Sequence, residues 1–433
     1  MKKYCVLALA LLCAALPAAA QKEYGLKFSS LINDDLTLEN AIRLGLENNS
    51  EFLSARQEII IAEQKINEAK FRFLPQFSLQ GTATWYDLEY PMVLPDAVAN
   101  RFLPSTDTLN EKKFFGVGVT ATQYLYSGGR IRGTLKMARA NLKQVQSRYE
   151  TVKNAVVLDI KKSFNNLLHA QEYARFTQKT LDTANQWYAR PSGDAWTQIR
   201  QRALLADLAL RNNQAKRALG EAQMAMLVSL NKELNSTITI KGDFVPVKTN
   251  WDLPHLNLWA MEFRPELKSA IYALEADNIS IDLALSKRYP DIILNGSYEQ
   301  MGADTLEDVN KQISLAVRLP IPYNFSEQIA QKKAEQRKSS LRRAAIEDKI
   351  RIQVAGSFES MRFWQDEVLE RQAVYRDLKT RIETAGKTAA KTGISPLEAL
   401  LAYEQTAAGY FEAVLKNRVA KAELEWAIGQ DLQ

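Results

Sequence analysis

Few side chains in this sequence are placed to do chemistry. His169 lies in a helical stretch and His255 in a loop, and they are the only two histidines. A general base or a metal site needs clustered partners, and neither histidine has them in the sequence. The two cysteines, Cys5 and Cys13, both fall near the start, so the remainder offers neither a disulfide nor a thiolate site. No glycine-rich phosphate loop, paired-histidine metal spacing or nucleophile elbow is present. The 56 basic and 50 acidic residues are interspersed, and the net charge of +6 suits a solvated surface better than a nucleic-acid footprint. An enzyme is not expected, and neither is a cofactor or a metal.

The interest therefore lies in the elements. Lys2 and Lys3 precede an apolar run from Tyr4 to Leu16, then Pro17 and the small residues Ala18, Ala19 and Ala20. This is the pattern of a signal peptide over residues 1–20, with Gln21 as the expected mature start. Leu12, bulky where a small residue is wanted, argues against Cys13 as a lipid anchor. Beyond it no apolar run reaches the length of a membrane-spanning helix. Entry into a membrane would require strands of a closed barrel.

The chain reads as two copies of one unit. A shift of 215 pairs Ser50-Glu51-Phe52 with Pro265-Glu266-Leu267, Pro75 with Pro290, Leu79 with Leu294 and Gly81 with Gly296. A shift of 196 pairs Val117 with Ile313, Val119 with Leu315 and Ala121 with Val317, and Gly193 matches Gly393 at 200. Matches that keep their order point to a tandem duplication. The expected units are residues 21–230 and 259–433, joined by an irregular segment 231–258.

Each copy reads as helix, strand, loop, strand, long helix, turn, helix. Over Thr37–Arg72 the residues Phe52, Ala55, Ile59, Ala62, Ile66 and Ala69 form a heptad stripe that packs one helix on another. Pro75 and Pro290 end the first helices. The period then changes to two. Phe77 and Leu79, Val117 and Val119, Leu294, and Leu315 and Val317 form apolar faces, and Ser, Thr, Gln, Asn and Gly dominate the alternate positions. Segments of about ten residues, small polar backs and aromatics at the ends suit lipid-facing strands of a membrane barrel. Helices over about 131–189, 195–230, 326–391 and 395–428 complete the copies, with turns at Ser192-Gly193-Asp194 and Thr392-Gly393-Ile394. Rods of that length joined to membrane strands suggest a tube projecting from a membrane. Four strands are too few to close a barrel, for which about eight is the minimum, so an oligomer is demanded.

Leu36-Thr37-Leu38-Glu39-Asn40-Ala41-Ile42, Asn49-Ser50-Glu51-Phe52, Leu74-Pro75-Gln76-Phe77, Ser127-Gly128-Gly129-Arg130, Arg264-Pro265-Glu266-Leu267 and Gly393-Ile394-Ser395-Pro396-Leu397-Glu398 together resemble the TolC family of outer-membrane efflux proteins. The second copy departs from the pattern at Pro322-Tyr323-Asn324-Phe325, and the first turn at Gly193-Asp194-Ala195. The resemblance implies a mainly helical fold with a membrane β-barrel. In it, antiparallel coiled-coil helices form a periplasmic tunnel, and four strands per chain enter a homotrimeric barrel. It implies an outer-membrane channel exporting small molecules within a tripartite pump, with a periplasmic adaptor and an inner-membrane pump of the RND type as partners. A type I protein-secretion duct is the alternative, and a periplasmic coiled-coil scaffold is the alternative of a different class. Gly193, Asp194, Gly393, Ile394 and Ser395 would meet the adaptor, and Asp207, Glu398 and Glu404 are the candidates for a periplasmic gate. Ser395-Pro396-Leu397-Glu398 is also a complete capping box, a role that needs no lumen.

Overall fold

In the computed structural model the described residues are 36–85, 113–188, 194–233, 238–248, 250–302, 308–321, 323–388 and 396–432. The signal-peptide reading therefore lies outside them. Helices dominate, and the order of elements occurs twice. The first series is α1 (Leu38–Asn48), α2 (Ser50–Phe71), β1 (Gln76–Trp85), β2 (Lys113–Ser127), α3 (Arg130–Tyr188) and α4 (Ala195–Ser229). The second is α5 (Leu253–Phe263), α6 (Pro265–Ser286), β3 (Asp291–Gly302), β4 (Asp308–Arg318), α7 (Phe325–Thr388) and α8 (Pro396–Ile428).

Two boundaries differ from the sequence expectation. The helix read over Thr37–Arg72 is broken at Asn49, whose backbone is extended at φ −70° and ψ 119°. Its side chain accepts from the Phe52 N–H at 2.9 Å and so starts a second helix. The segment read as irregular up to Leu258 instead contains α5 from Leu253 onward. Asp252 caps α5 by accepting from the His255 N–H, and Pro254 sits in its first turn, where a missing N–H costs nothing.

The heptad stripe of α2 is the packed one. Phe52, Ala55, Ala62 and Ala69 are buried, and the intervening Ile59 and Ile66 are half-buried. Near the strands the helices lie in the order α2, α3, α6, α7, and further away in the order α4, α3, α8, α7. With 59 and 64 residues, α3 and α7 are rods of roughly 90 Å at 1.5 Å per residue. Each half builds its own core. Phe52, Ile160, Phe164, Met226 and Ile238 pack together in the first half, and Leu256, Ile350, Met361, Leu424 and Ile428 in the second. The four strands form one antiparallel sheet in the order β1-β2-β3-β4, so β1 and β4 are its outer strands.

Candidate functional site

The strand register decides what the sheet presents. Leu79 is opposite Val119, Val119 opposite Tyr298 and Tyr298 opposite Lys311. Phe77, Ala121, Gly296 and Ile313 form the next row, then Leu294 and Leu315, then Ile292 and Val317. Opposed residues of antiparallel strands point to one side. The period-two faces read separately in each strand therefore merge into one continuous apolar surface. Phe77, Leu79, Val117, Val119, Leu294, Leu315 and Val317 are all exposed on it in the single chain. In β2 the pairing slips between Tyr124 and Tyr126, a bulge that returns Tyr126 to the apolar side opposite Ile292.

Lys311 is a charged intruder on this face, its Nζ 5.8 Å from the centre of the Tyr298 ring, and Gln123 and Gln300 fall on the same side. The Tyr298 hydroxyl accepts from Gln300 Nε2 at 3.0 Å. On the reverse face Ser78, Thr120, Ser297 and Gln312 form one row and Gln80, Gly118, Glu299 and Asn310 the next. Two glycines of β2 make room there. A Cβ on Gly116 would lie 2.7 Å from Thr82 Oγ1, and one on Gly118 would lie 2.8 Å from Glu299 Cγ.

The passage from strand to rod is built at Ser127-Gly128-Gly129-Arg130. Gly128 and Gly129 have φ of +59° and +86°, a region that side chains rarely enter. Arg130, in the first turn of α3, forms an ion pair with Asp291 at the start of β3 and so ties the first series of elements to the second.

At the far end, Gly193, Gly393, Ile394 and Ser395 lie outside the described residues, and with them the Ser395 half of the capping box. Asp194 is described and caps α4, accepting from the Thr197 N–H at 3.0 Å and from the Thr197 hydroxyl. The Thr197 hydroxyl and N–H hold its carboxyl below the usual aspartate range. Glu398, in the first turn of α8, forms an ion pair with Arg200 in the second turn of α4. Asp207 is 3.6 Å from Arg211 one turn along α4.

The expectation of a lumen-facing Glu404 is corrected. Glu404 is 1% exposed and faces the neighbouring helices, where it accepts from the Tyr173 hydroxyl on α3 and pairs with Arg211 on α4. Burial, followed by the hydrogen bond to Glu404, pushes the Tyr173 phenol up, so it stays protonated and donates. The reason is visible on α8. Leu397, Leu400, Glu404 and Ala407 are all buried at alternating steps of three and four, so Glu404 occupies a packing seam. That spacing was available in the sequence. Tyr173 and Arg211 had no such signal, because only folding brings residues so distant in the chain together.

The histidines take up bland roles. His255 shares Asp252 with its own backbone cap, Nδ1 to Oδ2 at 3.2 Å. His169 packs near Tyr173 and Phe244, with ring centres 5.9 and 5.8 Å away. Among the described residues no group of three or more His, Cys, Asp or Glu is placed to hold a metal ion. Among them, too, no helix is long and apolar enough to cross a membrane.

Residues 41–191 match the family described as outer membrane efflux protein. No curated protein sequence matches the chain. Among solved structures, CusC, described in connection with transmembrane channel formation, is similar at 17% identity and TM-score 0.73, with 92% of each chain covered. The open state of the Neisseria gonorrhoeae MtrE outer membrane channel gives 17% and 0.73 over 92% of this chain and 89% of that one. The Campylobacter jejuni CmeC outer membrane channel gives 16% and 0.71 over 90% and 85%. Residues 41–191 thus carry the sequence pattern of the outer membrane efflux protein family, and the chain shares the fold of these channels almost end to end.

Proposed function

We propose that three copies of the chain close into one outer-membrane channel, with about twelve strands in the barrel and the rods forming a periplasmic tunnel. The observation that carries this reading is the continuous apolar face across all four strands, backed by a face of small polar residues. Such a surface suits lipid outside and water inside.

Both ends of the molecule's layers support closure. The sheet's outer strands β1 and β4 have backbone groups that lipid could not satisfy, and pairing β4 of one copy with β1 of the next removes both edges. The helical layer has matching borders. On α7 the residues Leu341, Ile352, Phe363 and Val374 are exposed at intervals of 11, the spacing of a nearly straight apolar line. On α4 Trp196, Ile199 and Leu210 are exposed. Joining unlike borders of successive copies is a head-to-tail contact, and a ring is how such contacts end without exposed edges.

The order of elements that occurs twice fits a tandem duplication of residues 21–230 and 259–433, joined through 231–258, that supplies two strand pairs per chain. In the cell the ring exports small molecules as the outer duct of a tripartite pump. A periplasmic adaptor meets the ends at Gly193, Asp194, Gly393, Ile394 and Ser395, and an RND-type pump lies beneath. Asp207 and Glu398, partly exposed at that end, are the acids left to act at a narrowing. The test is the mass of the detergent-solubilised protein together with its ion conductance in planar bilayers. Three chains per particle and discrete channels are expected, and a detergent-independent monomer without conductance would overturn the proposal.

A further inference from the structure

The reverse face of the sheet carries little charge along its middle. From the Gln76, Thr122, Asn295 and Ser314 row to the Gln80, Gly118, Glu299 and Asn310 row, Glu299 is the one ionisable residue on that side, and Asp308, opposite Met301, follows in the next row at the strand end. Asp291 and Arg318, opposed at the other end of the sheet, lie eight residues along β3 from it, about 27 Å at 3.4 Å per residue. Asp291 is already paired with Arg130. Lys311, next to Glu299's partner Asn310, points to the opposite face. Glu299 also lies over a gap in the neighbouring strand. Its Cγ lies across β2 where Gly118 has no side chain, 2.8 Å from where a Cβ would stand, so any other residue there would displace it.

We propose that Glu299 determines the cation preference of the channel's barrel and that Gly118 positions its carboxylate. The inference rests on the trimeric-barrel reading, in which the polar face lines the lumen. Symmetry then places three Glu299 carboxylates at one height. Twelve strands 4.8 Å apart, tilted by about 40°, give a backbone radius of roughly 12 Å. The screening length is about 30 Å at 0.01 M salt and about 3 Å at 1 M. In dilute salt the field of the three carboxylates therefore spans the whole lumen, and in concentrated salt it does not reach the axis. The solute class favoured is a cation, metal or organic, over an anion of similar size.

The experiment is the reversal potential of channels in planar bilayers under a KCl gradient, at low and at high salt. Glu299→Gln is expected to lower the K⁺-to-Cl⁻ permeability ratio about twofold or more in dilute salt and to converge with wild type near 1 M. Asn310→Lys leaves Glu299 in place and puts an ammonium directly opposite it, so the same loss is expected from a chain whose Glu299 packing is intact. Lys311→Glu, on the other face, should leave the ratio unchanged. If Glu299→Gln and Asn310→Lys channels keep the wild-type ratio in dilute salt, the proposal is overturned. If only Lys311→Glu moves it, the faces are reversed and the proposal falls with that assignment. Wild-type protein that forms no channels defeats the barrel reading itself, an outcome distinct from intact channels with unchanged selectivity.

Discussion

Arg211 Nη1 lies 3.0 Å from Glu404 Oε2, an ion pair from α4 to α8 at a point where Glu404 is closed off from solvent. With Tyr173 on α3 donating to the same carboxylate, one acid gathers three helices drawn from both halves of the chain. Removing one partner of a buried pair leaves a charge without compensation, which costs more than the pair contributes. Arg211→Ala is therefore expected to cost about 3 kcal/mol, the low end for such deletions because Arg211 is itself partly exposed. Tyr173→Phe should cost about 1.5–3 kcal/mol, the range for a hydrogen bond to a charged group. Denaturant unfolding followed by helical circular dichroism measures both. Equal stability of Arg211→Ala and wild type would show the contact to be incidental.

Charge on the apolar strand face should be costly. Val117→Arg and Leu315→Arg are expected to impair assembly by about 2–4 kcal/mol if they sit near the middle of the bilayer. Thr120→Arg, on the polar face beside Ser78 and Ser297, should assemble normally. The yield of folded trimer in outer-membrane fractions reads all three. Equal tolerance at the three positions would remove the distinction between the faces.

At the far end, cysteines replacing Asp194 and Gly393 should crosslink to the adaptor in cells, because no other cysteine lies beyond Cys13. Asp194 is the described member of this group, and its carboxylate caps α4. Asp194→Asn, which keeps a capping side chain, is the control for simple helix fraying. Crosslinks confined to residues 238–248 would move the contact to the segment between the halves.

Acid should loosen the middle of the rods through His169. Burial holds its imidazole below the ordinary histidine value, against the opposing pull of Glu412. The unfolded chain then binds a proton more readily than the folded one. Stability is accordingly full above about pH 6.5 and falls as the pH drops through that value toward the folded pKa. His169→Phe, which keeps a ring beside Tyr173 and Phe244, should flatten the change in melting temperature between about pH 7.5 and pH 5. An unaltered pH profile in that variant would assign the acid sensitivity to other groups.

Local periodicity alone determined much of this protein. Pro75 and Pro290 mark where each helix stops, and the period changes from about 3.5 to 2 after them, because a helix repeats its face every three to four residues and a strand every two. The α2 stripe and the apolar strand residues follow directly from those repeats. The break at Asn49 was hidden because an asparagine inside a helix costs little in propensity, and its cap shows only when the backbone turns. The start of α5 was missed because Pro254 breaks a helix interior but suits a first turn. The contacts that give the residues their roles were decided by tertiary structure. The sequence marked Glu404 as an acid after a turn, and only the packing of α8 against α3 and α4 turned it inward to Tyr173 and Arg211. Likewise Glu299 stood in an alternating strand like any other, and the β2–β3 register is what set it over Gly118. Periodicity reports which residues share a face, whereas what covers that face depends on segments far away in the chain, whose pairing no local pattern encodes.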